Sequence, residues 1–566
     1  MGTRHLQFWP SVPRHLTPPA TSVWFNAEVS AARYPDKPCI SFYDSVLTFS
    51  AFRAEAERLA GYLQKVCGVQ RGDRVALYLQ NSPQFIIGYY AILRADAMVV
   101  PINPMNMTRE VGHIVTDSGA KVLIGAQDQL SRIEPLIGHG LSRAIVACYS
   151  DYLTAPTDLE LPAWIKAPRQ AQSAAGLTPW SDAMAAGAVP GPHLATPDDL
   201  CAMPYTSGTT GEPKGCIHRH RQVMFTAVAG AQWGRTFQEE CVLAVAPFFH
   251  VTGMQGSMNG PIYSGATIVL LPRWDRDVAA KLIQRNRVTG TTVVPTMVVD
   301  LLSSPELASY DLSSLRRISG GGAAMPEAIA QRLQDLCGLP FLEGYGLSET
   351  MAATHVNPPD RPKKQCLGIP YFDTDSRVVN PDTLAELPPG ETGEIITCAP
   401  QVFDGYWNNP QANAACFVEI DGKRFFRTGD LARTDEDGYF FLVDRLKRMI
   451  NVAGFKVWPA EVESMLYAHP AIQEAVIIGC RDARRGQSVK AVVVLKPAAR
   501  GTVDEPQLLR WARDNMAVYK VPSTVEFVES IPKSGTGKIM WRALQEQQDK
   551  DDGDGVSFVS SAHRDR

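Results

Sequence analysis

Eleven residues, YTSGTTGEPKG at 205–215, gather four Ser/Thr hydroxyls (Thr206, Ser207, Thr209, Thr210), three glycines (Gly208, Gly211, Gly215) and Lys214. Glycines let a backbone turn its N–H groups to one side, hydroxyls add donors, and lysine adds a mobile positive charge. Together these make a nest for phosphate. Flexible linkers share the composition, but Tyr205, Pro213 and the strand-like DLCAMPY that leads straight in argue for a cradle. The tract is not a G-x-x-x-x-G-K-[ST] loop, since Lys214 lies between Pro213 and Gly215. SGTGKIM at 534–540 fails the same pattern, with Pro532 at the first glycine position and Ile539 at the hydroxyl position. No G-x-S-x-G nucleophile elbow occurs, so the phosphate chemistry is of another kind.

Other stretches offer groups for the same chemistry. In GYGLSET, Tyr345 between Gly344 and Gly346 can present an aromatic face to a purine, or serve as a core tyrosine in a turn. Ser348 and Glu349 bring a hydroxyl for phosphate and a hard carboxylate, the donor type Mg²⁺ takes beside phosphate oxygens. SGGGAAMP places Gly320, Gly321, Gly322 and Ala323 in one run, and FFHVTGM places His250 beside Phe249 with Met254 beyond it. His218 and His220 in CIHRH diverge at i, i+2 and have no third ligand near in sequence, so they read as structural rather than as a metal pair.

The elements that must position these groups follow from hydrophobic patterning. DRVALYL, KVLIGA, RAIVACY, CVLAVAP and ATIVLLP read as short buried strands, separated by amphipathic segments such as TFSAFRAEAERLAGYLQKV and RDVAAKLIQRNRV. That alternation predicts an α/β fold: a large N-terminal domain of layered, mostly parallel sheets with helices. The Ala/Pro-rich stretch 151–200 reads as surface loop. From about residue 446 a compact α+β pattern begins, with PAEVESMLYAHP and EPQLLRWARDNM helical and IQEAVIIGC and VKAVVVLK as strands. The expected division is an N-terminal extension (1–20), a large domain (21–444), a small C-terminal domain (445–545) and a disordered polar tail (546–566).

The bulk numbers set the class. The chain has 566 residues, is 20% charged and carries a net charge of -4, which argues against nucleic acid as a partner. Eleven cysteines, none in a CxxC, argue against a disulfide framework or zinc site and for a reducing, cytoplasmic setting. FIIGYYAILRADAMVVPI is interrupted by Arg94 and Asp96 and reads as a buried helix running into a strand, so no transmembrane segment is expected. MGTRHLQFWPSVPRHLTPP lacks the apolar region of a secretory signal.

These motifs, together with RTGDLA at 427, VDRLKRMINVAGFKVWPAEVE at 443 and IPKSGTGK at 531, stand in the order found in the adenylate-forming superfamily of acyl-CoA synthetases, luciferases and peptide-synthetase adenylation domains. The chain resembles that family from about residue 20 to 545, and most resembles bacterial fatty acid–CoA ligases. The resemblance implies ATP, Mg²⁺ and coenzyme A, and a carboxylic acid activated as acyl-AMP and then passed to the thiol. It implies Lys538 as the catalytic lysine, with His250 and Glu349. Thr206 to Gly211, Lys214, Gly321, Gly322, Ala323, Gly344 to Gly346, Ser348, Asp430 and Arg445 would hold the nucleotide. Glu349 and Thr206 would face the metal, and Phe249, Met254 and Gly320 the acyl chain. Lys447 would be the hinge of a swing that brings Ala453, Gly454 and Phe455 to the thiol side.

The acid is expected to be hydrophobic, a medium- or long-chain fatty acid, with the glycines at 320–322 leaving room for its tail. Two departures bear on this. Met254 stands where some long-chain members carry an aromatic gate, and Asn451 with NVAGF replaces the commoner lysine and ISGGF. An aryl acid–CoA ligase, or an acyl-AMP ligase loading a carrier protein, are the alternatives. An inactive relic is disfavoured because Lys214, Glu349, Asp430, Arg445 and Lys538 are all present. A homodimer and peripheral membrane contact stay open.

Overall fold

The computed structural model describes residues 4–172, 174–206, 213–322, 325–445, 448–452, 455–482, 485–534 and 539–554. The chain forms two compact units. The first takes residues 1–376, 397–427 and 437–439, and the second takes 377–396, 428–436 and 440–566. The second unit thus includes two stretches upstream of residue 440, and the strand Lys423–Thr434 passes from one unit into the other at Thr428.

The first unit is built on two large sheets, and both follow the expected strand–helix alternation. In one, Phe341–Leu347, Arg317–Gly321, Gly290–Val293, Cys241–Ala244, Thr267–Leu270 and Pro38–Phe42 lie side by side in parallel. Ala352–Val356, Ile369–Pro370 and Ser45–Thr48 add antiparallel edges. In the other, Leu200–Ala202, Met98–Pro101, Arg74–Tyr78, Val122–Ala126, Arg143–Ala147 and Leu177–Pro179 run parallel. The strand Lys214–Arg219 joins antiparallel to Leu200–Ala202 and carries Tyr205–Thr206 and Gly405–Tyr406 beside it. The helix Phe49–Lys65 starts at an N-cap in which the Thr48 hydroxyl accepts from Ala51 N–H, and it buries Phe49, Phe52, Ala56, Leu59 and Leu63 along one stripe. The apolar stretch around Arg94 folds as read, with helix Pro83–Arg94 feeding the strand Met98–Pro101. No helix among the described residues is long and apolar enough to cross a membrane.

The second unit has its own core. Ile450–Val452, Phe455–Val457, Ile472–Asp482 and Gly486–Leu495 pair antiparallel, with Thr524–Phe527 parallel to Gly486–Leu495. Val457, Val462, Leu466, Ala491, Val493, Leu508 and Ala512 close that core beneath helices Pro459–Leu466 and Glu505–Asn515.

Two expectations from composition fail. Residues 151–200 are not plain surface loop: Ile165 and Trp180 are buried, and Leu177–Pro179 forms a sheet edge. Sparse apolar anchors suffice there because the neighbouring strand supplies the rest of the surface. Residues 546–554 are not a disordered tail, because helix Trp541–Asp554 runs through them. Bonds at i, i+4 such as Gln547–Asp551 and Gln548–Asp552 support it, and Gln545 exchanges hydrogen bonds with the Gly479 backbone.

The N-terminal arm is tied to the first unit by aromatic packing. Trp9 stands edge-on to Trp233 at 5.0 Å and to Phe372 at 5.5 Å, and Phe8 meets Tyr439 at 5.3 Å. Trp9→Ala is expected to cost about 1–3 kcal/mol, from lost ring contacts and buried area. Urea unfolding at fixed pH checks this, and an unchanged midpoint would show the arm to be ornamental.

Candidate active site

The two ends of the tract at 205–215 pair antiparallel, and the pair is called the hairpin below. Thr206 pairs with Lys214, and Tyr205 pairs with Gly215. Its root is fixed from three sides. The Tyr205 hydroxyl donates to Asp117 at 2.6 Å, Trp407 N–H donates to the Gly215 carbonyl at 2.8 Å, and the Trp407 indole donates to the Asp117 carbonyl at 3.0 Å. A Cβ at Gly215 would come within 2.8 Å of the Met203 sulfur, so the close strand approach accounts for that glycine. Ser207, Gly208, Thr209, Thr210 and Gly211 lie outside the described residues, as do Ala323, Lys447, Ala453, Gly454 and Lys538.

Lys214 leaves the hairpin toward Tyr406, its ammonium 4.9 Å from the ring centroid. The Tyr406 hydroxyl donates to Glu349 Oε1 at 2.8 Å. Burial, and then the neighbouring Glu349 charge, push the phenol well above its ordinary pKa, so it stays a donor. Sequence reading missed Tyr406. Its only signal was GYW, whose Gly405 holds a φ of +152° that side chains avoid.

Glu349 lies in the turn Ser348–Thr350 between two strands. The Glu349 carbonyl accepts from Phe403 N–H at 2.8 Å, and the Ser348 carbonyl accepts from His218 Nε2 at 2.7 Å. Thr350 Oγ1 closes the turn, taking Leu347 N–H and donating to the Ala352 carbonyl. Sequence brings Lys214 and Glu349 no nearer than 135 positions; the fold joins them through one tyrosine. A single carboxylate with hydroxyl oxygens, and no cluster of three His, Cys, Asp or Glu side chains among the described residues, fits a metal held mainly by phosphate oxygens.

The glycines at 320 and 321 serve closeness rather than the open space expected of them. A Cβ at Gly320 would lie 1.9 Å from the Val293 carbonyl oxygen, and one at Gly321 would lie 2.4 Å from the Gly344 carbonyl oxygen. Gly346 would collide with the Ala352 carbonyl. Gly322 takes a φ of +87° where the strand ends. Tyr345 is 9% exposed, with its ring 5.6 Å from that of His355.

His250 caps a short helical turn. Its Nδ1 accepts from Thr252 N–H at 3.3 Å, which leaves the proton on Nε2. Asn81 braces the preceding strand end, accepting from Phe248 N–H and donating to the Ala246 carbonyl. Phe249 is half-buried, and Met254 is fully buried at the start of a π-helix, Met254–Asn259. Such helices are rare and concentrate at functional sites.

In the second unit, Asp430 is buried and pairs across a hairpin with Arg445. Its N–H donates to Thr428 Oγ1. Phe455 lies on the strand Phe455–Val457. Beside the expected hinge position, Arg448 forms ion pairs with Glu463 and Asp444.

Residues 27–407 match the AMP-binding enzyme family, and residues 461–538 match the AMP-binding enzyme C-terminal domain. The chain belongs to the AMP-binding enzyme family. Among relatives of this AMP-binding enzyme, a long-chain-fatty-acid–CoA ligase of Bacillus subtilis (strain 168) is 37% identical, the match covering 95% of this chain and 96% of that one. A feruloyl-CoA synthase of an Amycolatopsis species is 34% identical, over 95% and 98%. An anthranilate CoA ligase solved with anthranoyl-AMP superposes with a TM-score of 0.82 at 27% identity, over 94% of this chain and 98% of that one. This AMP-binding enzyme is an AMP-forming acyl- or aryl-CoA ligase, and it uses ATP, Mg²⁺ and CoA.

Glu343, two residues before Tyr345, is a buried carboxyl that sequence reading passed over. It accepts backbone N–H from Met325 at 3.3 Å and from Gln365 and Cys366. Burial outweighs these bonds and raises its pKa to about 7. A carboxyl that binds its proton more tightly folded than unfolded favours the fold below about pH 4.5, and that advantage is lost as pH climbs through 7. Glu343→Gln removes the titration, which is on the order of 3 kcal/mol. Its thermal midpoint should exceed that of the natural protein at pH 8, and the gap should narrow toward pH 5. A gap constant across that range would mean Glu343 does not titrate there.

Proposed function

We propose that this enzyme activates a medium- or long-chain fatty acid as acyl-AMP and transfers it to coenzyme A. The observation that carries this is the apolar segment behind His250, where Phe248, Met254 and Met258 are fully buried and no charged side chain interrupts residues 248–272. The near full-length likeness to a long-chain ligase supports the same reading.

In this reading the hairpin and Lys214 bind the triphosphate, and Lys214 balances charge on the departing pyrophosphate. Glu349, with Thr206 beside the phosphates, would hold Mg²⁺, which supplies charge neutralisation when bound. The acid's carboxylate attacks the α-phosphorus and pyrophosphate leaves. Lys538 offsets negative charge at the crowded phosphorus. His250, with its proton on Nε2, donates toward the acid's carboxylate. Asp430 holds the ribose hydroxyls and Arg445 assists. A turn about Lys447 then exchanges Lys538 for the Ala453–Phe455 face, the CoA thiolate attacks the acyl carbon, and AMP departs.

A second reading, an aryl acid, draws on Gln255. It follows Met254, is 4% exposed, and its amide has no hydrogen-bond partner among the described residues. A buried amide without partners is costly, and a polar substituent on the acid would relieve it. The feruloyl and anthranilate relatives favour the same acids.

ATP–pyrophosphate exchange across saturated acids from C4 to C18, benzoate, anthranilate and hydroxycinnamates, with and without CoA, tests both readings. Highest kcat/KM for a saturated acid, with AMP release that needs CoA, is the expected result. Preference for hydroxycinnamates would establish the second reading, and exchange without CoA-dependent turnover would point to a carrier-protein acceptor. Lys214→Ala should lower exchange about 10²-fold, and full activity in that variant would remove the hairpin from the mechanism.

A further inference from the structure

His218 lies on the strand Lys214–Arg219, and its side chain is completely buried. Its Nε2 is 2.7 Å from the Ser348 carbonyl oxygen. A carbonyl oxygen only accepts, so Nε2 must carry the proton and the partner dictates the tautomer. Nδ1 is then bare, and it has no hydrogen-bond partner among the described residues. An orphaned buried acceptor is a penalty, and the chain tolerates it to keep a donor at Nε2. A second proton would create a buried cation. Burial draws the ring's pKa down to about 4, against the opposing pull of the Ser348 carbonyl and Asp404. The ring is therefore a neutral donor throughout the neutral range.

The turn it holds is not one the backbone adopts freely. Ser348–Thr350 leads into Met351 at φ 45° and Ala352 at φ 89°, two non-glycine residues in left-handed conformations. Outside bonds must fix such a turn. Phe403 N–H takes the Glu349 carbonyl, and His218 takes the carbonyl just before it. His218 also leans on the Phe403 ring at 6.3 Å, so both restraints share one packing unit.

We propose that His218 is a positioning residue for Mg·ATP binding: its Nε2–H fixes the Ser348 carbonyl, and through it the turn that carries the Ser348 hydroxyl and the Glu349 carboxylate. The inference rests on the reading of Glu349 as the metal-facing carboxylate. It assigns a task to a side chain whose neighbour His220 has none at the site. The His220 Nδ1 accepts from Val23 N–H, and burial lowers its pKa to about 3.

The test is ATP–pyrophosphate exchange against Mg·ATP concentration for His218→Leu, His218→Gln and Glu349→Gln, with the thermal midpoint of each. His218→Leu should raise the KM for Mg·ATP about tenfold while kcat at saturation changes little, and His218→Gln, whose amide N–H can reach the same carbonyl, should restore it to within about threefold. A folded His218→Leu with the natural KM overturns the proposal, as does a His218→Gln no better than leucine at an equal midpoint. If Glu349→Gln weakens the Mg²⁺ dependence and His218→Leu does not, only the role of His218 falls. If Glu349→Gln leaves that dependence intact, the reading of Glu349 falls and takes this proposal with it. Should the leucine variant not fold, His218→Asn, too short to reach the carbonyl, takes its place. Natural Mg·ATP affinity there overturns the proposal equally.

Discussion

A site that handles a triphosphate with its metal needs a cation and a carboxylate close together, yet a cation and a carboxylate left together neutralise each other. In the proposed reading of this chain the Tyr406 side chain resolves that conflict. Its ring face takes the Lys214 ammonium at 4.9 Å, and its hydroxyl donates to Glu349 at 2.8 Å. A cation over a ring keeps its charge and most of its donors available, which a direct salt bridge would not allow. The carboxylate likewise accepts from a neutral donor, which does not cancel its charge. Both contacts need Tyr406 beside the hairpin strand, and the pairing of Cys216 with Tyr406 puts it there.

The large parallel sheet imposes the second constraint. Its strands Gly290–Val293, Arg317–Gly321 and Phe341–Leu347 lie side by side, so closely at their ends that a single methyl at Gly320 or Gly321 would strike a neighbouring carbonyl. Backbone lying that near to backbone leaves no room for a side chain at these strand ends. The glycine run is thus fixed by the sheet before any ligand is considered. The segment that follows His250 departs from regular geometry in another way, through the π-helical turn Met254–Asn259.

Much of this was legible in the sequence, for a physical reason. Phosphate cradles, tight strand ends and alternating buried strands each demand particular residue types at fixed spacing, so YTSGTTGEPKG, GYGLSET and runs such as KVLIGA announce themselves. Tyr406, His218, Asn81 and Glu343 did not. Each acts through a partner 57 or more positions away or through backbone groups of several segments, and nothing local distinguishes a structural tyrosine or histidine from these. Composition misled in two places. Composition predicts disorder for a polar run whose residues 546–554 are helical, with side-chain bonds and the Gly479 backbone holding the helix, and it predicts loop for an Ala/Pro-rich stretch that Trp180 anchors.

The buried titratable groups of the first unit show how the fold keeps its charge for the substrates. His218, His220 and His355 lie in its core, and burial holds each near or below pKa 4, so they are neutral rings, two of which bond to backbone groups and the third to the Thr354 hydroxyl. The phenols of Tyr205 and Tyr406 are pushed well above their usual range and remain donors. Such groups hold main-chain and side-chain partners without adding charge of their own. Glu343 is the exception in kind. It is a carboxyl on the same strand as Tyr345, held among the described residues by backbone N–H groups and raised to about 7. A burden of that sort persists where the three segments it ties together matter more than the free energy it costs.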